Sequence, residues 1–358
     1  MIDVLISGGG PAGLATAIQC AQAGLAVTVA EPRATPIDKA CGEGLMPAAV
    51  QRLAAIGVRP AGHVIGGIRY LDDRHSVDAP FSTGAGLGVR RTVLHAALAM
   101  RAAALGVEVI PARVAGFTQE VKSVKALLRP NGPQPPAPFH ARYLVGADGL
   151  HSAVRKAAGL DPAPARQRDD GHRRYGLRRH YRLAPWTDLV EVHWARDCEA
   201  YVTPVADDEI GIAVLGGPGA GNLDARLAAF PGLLRRVQSA EAVPRSEDRG
   251  AGPLRQEVRR RAAGRVLLIG DAAGYLDALT GEGIGAALAQ AEVIGACLAA
   301  GRPGDYERAW RRVTRKERVL TGGLLWSRQQ RLLGPRIVPA AAALPAVFTA
   351  IVNQVAWA

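Results

Sequence analysis

The chain of 358 residues is expected to fold as an α/β protein. A Rossmann-like nucleotide-binding domain is interrupted by an antiparallel β-sheet substrate domain and followed by a helical C-terminal tail. Three observations point there. An apolar run, Ile2-Asp3-Val4-Leu5-Ile6, leads into Gly8-Gly9-Gly10-Pro11-Ala12-Gly13 and a helix-like stretch, and a second apolar run closes on Glu31. The block from about 172 to 255 alternates apolar and polar residues at the period of a strand. After about 300 the pattern turns helical.

The first segment carries the G-x-G-x-x-G fingerprint in the context that gives it meaning: strand, glycine turn, helix, strand, acid. Gly8 permits the tight turn, Gly10 lets a pyrophosphate approach the backbone, and Gly13 lets the helix pack on the strand. Pro11 and Ala12 open that helix, whose first N–H groups can meet phosphate. Glu31 is suited to accept hydrogen bonds from an adenosine ribose, and its charge disfavours a 2′-phosphate. A dinucleotide is expected here.

Next comes a loop, Lys39-Ala40-Cys41-Gly42-Glu43-Gly44-Leu45, and then a strand-like piece, Gly67-Ile68-Arg69-Tyr70-Leu71. Arg91-Thr92-Val93-Leu94-His95 heads an Ala- and Leu-rich helix that runs into Gly106-Val107-Glu108-Val109. Tyr143 to Gly149 reads as a short strand ending in Asp148-Gly149, with Ser152 and Arg155 after it. In the middle block, Leu189 to Trp194, Tyr201 to Thr203 and Ile210 to Val214 alternate as in a sheet with one buried face. The run Gly216-Gly217-Pro218-Gly219-Ala220-Gly221 lacks a third glycine at the right spacing and a later acid, so a loop before a helix near Leu223 to Phe230 is expected. Arg265 to Gly274 is another strand, ending in Gly270-Asp271, and Gly281-Glu282-Gly283-Ile284-Gly285 precedes a small-residue helix.

Helical periodicity then runs from Tyr306 through Gln330. Ile337 to Val352 is uncharged, holds Pro339 and Pro345, and is too short and too weakly hydrophobic to span a bilayer comfortably. It is expected to dock as a lid over the substrate cavity, with peripheral membrane contact through this tail as the other reading. Residues 1–64, 86–171 and 256–300 form the expected nucleotide-binding domain. Residues 65–85 and 172–255 form the substrate domain, and 301–358 the C-terminal helices.

Composition narrows the partners. The net charge of +12 comes almost wholly from arginine, since Lys39, Lys122, Lys125, Lys156 and Lys316 are the lysines. A basic surface suits anionic substrates, NADPH, an acidic carrier or lipid headgroups. The densest cluster is Arg166, Arg168, His172, Arg173, Arg174, Arg178, Arg179, His180 and Arg182. It is read as a strand with a solvated basic face; no nucleic-acid motif accompanies it. Cys20, Cys41, Cys198 and Cys297 have no metal-ligand spacing and no C-x-x-C, so no metal is expected. The chain begins on a cofactor-binding strand, so a cytoplasmic protein with reduced thiols, in loose contact with membrane at most, is expected.

In order and spacing, the glycine motif, the Asp148-Gly149 strand and the Gly270-Asp271 strand with its trailing glycines resemble the FAD-binding set of the para-hydroxybenzoate hydroxylase superfamily. The resemblance covers about residues 1 to 290. It implies a Rossmann-like FAD-binding domain, with NADPH or NADH as electron donor bound without a second nucleotide fold. It implies that Asp271 binds a ribityl hydroxyl, that Arg91 reaches toward FAD, and that the N–H groups of Gly283 and Ile284 face the flavin's pyrimidine edge. Gly8, Gly10, Pro11, Ala12, Gly13, Glu31, Arg33, Gly42, Val114, Asp148 and Gly281 complete the implied cofactor set.

Cys41-Gly42-Glu43-Gly44 and Thr280-Gly281-Glu282-Gly283 look more like the geranylgeranyl reductase branch. That branch's Y-x-W-x-F-P signature maps onto Glu199-Ala200-Tyr201-Val202-Thr203-Pro204, which keeps one aromatic and the proline. The halogenases' W-x-W-x-I-P is absent at the same place, and Asp277-Ala278 stands where a proline is usual.

The resemblance implies a reduced flavin that either inserts one oxygen atom from O2 or delivers hydride to a double bond. The first expectation is NAD(P)H-dependent monooxygenation of a hydrophobic aromatic or polyketide-like compound of secondary metabolism. The alternative is geranylgeranyl-reductase-like reduction of an alkene or isoprenoid. A minor one is a non-catalytic flavoprotein docking an acidic partner. Cys41, with Lys39 beside it to lower its pKa, is the candidate proton relay. Tyr201, Thr203 and His193 are the candidate substrate contacts, and Glu282 is either an acid beside the flavin or a helix cap.

Overall fold

The computed structural model describes residues 1–162, 173–219, 221–240 and 242–357. Arg166, Arg168 and His172 of the arginine-rich cluster, and the expected domain boundary at 171/172, lie outside the described residues.

The strand Ile2–Ser7 has Val4, Leu5 and Ile6 fully buried, which is the mark of a central parallel strand covered on both faces. It lies between Ala137–Gly146 and Val27–Ala30, parallel to both. Val266–Leu268 extends the parallel sheet beyond Ala137–Gly146, and Glu108–Ile110 extends it beyond Val27–Ala30. Ala112–Gln119 and Val124–Pro130 form an antiparallel flap on Ala137–Gly146. The helix Pro11–Gln22 packs between Arg91–Ala104 and Gly283–Ala299. The last of these approaches closely because Gly295 faces Gln19, where a Cβ would come within 3.0 Å of the Gln19 Cβ.

The second sheet runs Val243–Pro244, Tyr175–Arg182, Glu209–Gly216, Cys198–Ala206, Leu189–Trp194, Gly67–Leu71, Ser76–Pro80. Its pairs are antiparallel except Leu189–Trp194 with Gly67–Leu71, which are parallel because the latter strand arrives from a distant part of the chain. The expectation of one buried face needs correction. Every residue of Glu209–Gly216 is buried. One face carries Tyr70, Val192, Tyr201, Ala213 and Leu215, and the other carries Ala200, Val202, Ile212 and Val214 beneath the helices Leu223–Leu227 and Pro231–Ser239. A third, small sheet joins Gly44–Leu45, Gly86–Gly88 and His63–Ile65.

The solvated basic face also needs correction. Arg178 is fully buried and paired with Asp38, and Arg174 bridges Glu199 and Asp277. Arg179 holds Asp224 and Asp248, each at 2.7 Å. Arg174, Arg178 and Arg179 are held by acids far away in sequence, while Arg173 and Arg182 stay exposed.

After the helix Tyr306–Gln329, the tail folds back as Ile337–Ala343 and Pro345–Ala356. Phe348, Val352 and Val355 press onto the outer strands of the second sheet, with Phe348 4.7 Å from the Tyr70 ring. Asn353 accepts from the Ser82 N–H (2.8 Å) and donates to the Pro80 carbonyl (3.0 Å). Among the described residues no single helix is long and apolar enough to cross a membrane.

Candidate active site

A cavity of about 720 Å³ runs from the glycine motif, between the two sheets, to the C-terminal helices. Gly10, Pro11, Ala12, Arg33, Cys41, Gly42, Arg91, Asp148, Asp271, Gly281, Gly283 and Ile284 line it, together with Tyr201 and Thr203. The two domains therefore share one space.

At the nucleotide end, Gly8 has φ 109°, a conformation that side-chain-bearing residues rarely adopt. A Cβ on Gly13 would overlap the Gly8 carbonyl oxygen, so this crossing of turn and helix tolerates glycine alone. No side chain caps the helix Pro11–Gln22, whose first residues, Pro11 and Ala12, line the cavity; Pro11 has no N–H to offer, and the Ala12 N–H is the first free donor of this turn. Beside them lies Arg91, whose terminal nitrogen would be 3.7 Å from a Cβ on Gly10. The Arg91 Nε is buried without a partner. A half-buried guanidinium with an unmet Nε donor beside an uncapped helix end fits an anionic diphosphate, so the residues present suit FAD.

Glu31 is turned inward. It accepts from the Gly9 N–H (2.7 Å) and from the backbone and side chain of Arg33. Burial opposes its charge, but these donors hold its carboxyl below the usual range. Arg33, not Glu31, faces the cavity. Asp148 caps the helix Ala153–Ala157 by accepting from the N–H groups of Ala153 (2.7 Å) and Val154 (3.1 Å). Val114 requires correction as a cofactor contact. It is buried in the strand Ala112–Gln119, within the sheet core and away from the cavity lining.

At the far end of the nucleotide half, Asp271 sits in the turn Gly270–Ala273 and binds Lys39 at 3.2 Å. Gly283 opens the helix Gly283–Ala299 with no side-chain cap, leaving that positive end toward the cavity. Glu282 belongs to neither of its expected roles. It is buried, makes no cap bond, stands outside the lining and leaves Oε1 without a partner.

Cys41 stands where the cofactor loop meets the second sheet. Thr203 donates to the Gly42 carbonyl at 2.8 Å and pins that loop to the strand Cys198–Ala206. The expectation that Lys39 lowers the Cys41 pKa is overturned, because Lys39 is engaged by Asp271. Burial pushes the thiol up, more than nearby Arg91 pulls it down, so Cys41 holds its proton at neutral pH. Tyr201 donates to the Leu279 carbonyl at 2.7 Å. Burial, reinforced by Glu199, lifts its phenol well above the usual value.

His193 must be corrected as a substrate contact. The register pairs Val192 with Tyr201 and His193 with Ala200, so the His193 ring faces the opposite side of the sheet. There it meets Glu191 at 3.3 Å and the edge of Phe230.

Sequence reasoning missed the group that holds the Cys41 loop from behind. Glu43 adopts φ 61°, accepts from the Arg91 N–H (2.7 Å) and receives His180 Nε2 at 2.5 Å. Arg178, which can only donate, lies 3.0 Å from His180 Nδ1, so that nitrogen is the acceptor and Nε2 carries the proton. Glu43 and His180 are 137 positions apart, and no local pattern links them. Asp277, at the site of the missing proline, is raised by burial to about 6 against the pull of Arg174.

Residues 1–178 match the FAD binding domain family. The chain is 27% identical over 341 residues to the menaquinone reductase of Mycolicibacterium smegmatis, covering 86% of this chain and 79% of that one. It is 24% identical over 331 residues to digeranylgeranylglycerophospholipid reductase 2 of Methanosphaera stadtmanae, covering 86% and 80%. The flavin-dependent brominase Bmp2 shares the fold, with TM-score 0.83 at 16% identity over 100% of this chain and 94% of that one. With the cradle for FAD described above, the matched domain and these relatives identify the chain as an FAD-dependent oxidoreductase similar to the hydroxylases and geranylgeranyl reductases.

Proposed function

We propose that this flavoprotein reduces a carbon–carbon double bond in a long apolar molecule of isoprenoid character, with NADPH or NADH as the electron source. The observation that carries this reading is the character of the cavity's second half. Its walls are aliphatic and aromatic residues of the second sheet and the tail, among them Ile68, Val192, Leu215, Phe348 and Val352. The proton donor at its junction with the cofactor half is the Cys41 thiol.

FAD, when bound, supplies the hydride. The protein's residues do the rest. Arg91 and the helix beginning at Pro11 hold the diphosphate, Asp271 takes a ribityl hydroxyl, and the helix beginning at Gly283 stabilises negative charge on the ring system. The tail helices exclude water from the double bond. Cys41 holds a proton on Sγ at the junction, positioned by Thr203 and by the Glu43 N–H, which reaches Sγ at 3.4 Å. Hydroxylation, the first expectation from sequence, calls for a base to activate a phenol. The tyrosines at this end, Tyr70, Tyr201 and Tyr275, have pKa values raised chiefly by burial, so they keep their protons at neutral pH and are unavailable as bases. The two relatives described above, aligned along 79% and 80% of their own length, are both named reductases.

The test is anaerobic. Reduced enzyme mixed with geranylgeraniol should reoxidise its flavin and yield a product two hydrogens heavier. Cys41→Ser should slow that step by about 100-fold or more while the flavin spectrum is retained. Reoxidation by oxygen alone, with labelled oxygen appearing in a phenol, would replace this reading by hydroxylation.

A further inference from the structure

The final helix has two apolar faces, and only one of them is used by the fold. Phe348, Val352 and Val355 point inward, but Leu344, Val347 and Ile351 are exposed at 59%, 52% and 50%. These three recur at the spacing of one helical face. They also line the cavity, so the cavity reaches the surface between them. The preceding segment exposes Trp326 (58%) and Leu332 (73%) as well. Exposed apolar side chains gathered at a cavity mouth mark a contact surface.

Charge identifies the partner. No Asp or Glu follows Glu317 in the chain, whereas Arg318, Arg328, Arg331 and Arg336 do. Arg328 is spent on buried Glu199, but Arg331 and Arg336 are exposed close to Leu332. The helices Gly334–Ala343 and Pro345–Ala356 meet at 109°, with their inner faces committed to protein. Such a sharply bent pair keeps one outer apolar face, which suits lying flat at a bilayer interface rather than crossing it.

We infer that this outer face docks on an anionic phospholipid bilayer, setting Leu344, Val347 and Ile351 among the acyl chains and Arg331 and Arg336 among the headgroups. The cavity mouth then opens into the hydrocarbon, and a long apolar substrate enters without crossing water. This inference extends the reaction proposed above and rests on it only for the identity of what enters. Vesicle binding is measured without substrate.

The full chain, loaded with FAD, is mixed with sucrose-loaded vesicles of phosphatidylcholine with or without phosphatidylglycerol and sedimented. Binding should require phosphatidylglycerol and weaken with salt. R331Q/R336Q should reduce it by about 25-fold, roughly fivefold for each arginine. V347D/I351D should reduce it by at least about 10-fold. Should that variant fail to fold, the lipid contrast and the arginine variant still decide. Equal binding to both vesicles, no binding at all, or undiminished binding by V347D/I351D would overturn the proposal. So would a stable dimer that V347D/I351D dissociates, since the face would then cover a second copy. A chain that binds these vesicles yet reduces no alkene would refute the proposed reaction and still support the docking face.

Discussion

Replacing Glu282 by glutamine should stabilise the protein at neutral pH and flatten its loss of stability above about pH 5. Burial lifts this carboxyl from 4.5 to about 8, with Glu317 adding to the shift and Arg52 opposing it. An unfolded chain releases the proton near 4.5, whereas the folded chain keeps it until about 8. Between those values unfolding releases a proton, so each unit of rising pH lowers the unfolding free energy by about 1.36 kcal/mol. The contribution is complete below 4.5 and is lost as pH climbs toward 8. By pH 7 the loss amounts to roughly 3 kcal/mol. Glutamine has the same shape and no proton to release. Glu282→Gln should therefore match the parent within about 1 kcal/mol near pH 4.5 and exceed it by about 2–3 kcal/mol at pH 7. Urea unfolding of the FAD-loaded proteins at several pH values reads this directly. Glu317, itself raised by burial, remains in both proteins and leaves its own slope in each. Identical slopes, or a glutamine variant less stable at pH 7, would refute the reasoning.

Two further outcomes follow from the site. Arg91→Ala removes the guanidinium that lines the cavity beside Gly10 and should weaken FAD binding by about 10-fold or more, seen as loss of yellow colour on gel filtration. A variant that keeps all its flavin would contradict the diphosphate assignment. His180→Ala strips the buried Glu43 carboxylate of its 2.5 Å donor and should cost about 3 kcal/mol of unfolding free energy. A loss below about 1 kcal/mol would show that Arg91 alone satisfies Glu43.

What the sequence determined by itself is the cofactor half. A turn that needs φ 109° at Gly8, and a crossing that excludes a Cβ at Gly13, are demands of adjacent backbone, so they are written in adjacent residues. Strand, glycine turn and acid are legible for the same reason, and so are the strands that stop at Gly146 and Leu268, two and three residues before Asp148 and Asp271. Only the tertiary structure decided the rest. A two-residue strand period places Tyr201 and Thr203 on one face, but which face His193 shares depends on register with a neighbouring strand. Arginine-rich Tyr175–Arg182 looks like a solvated strand until Asp38 and Asp248 arrive from elsewhere to pair with Arg178 and Arg179, and Glu199 with the neighbouring Arg174. Lys39 precedes Cys41 by two residues, yet its charge goes to Asp271, 232 positions away. Burial and ion pairing are set by residues far apart in the chain, and those distances close only when the two sheets come together around the cavity.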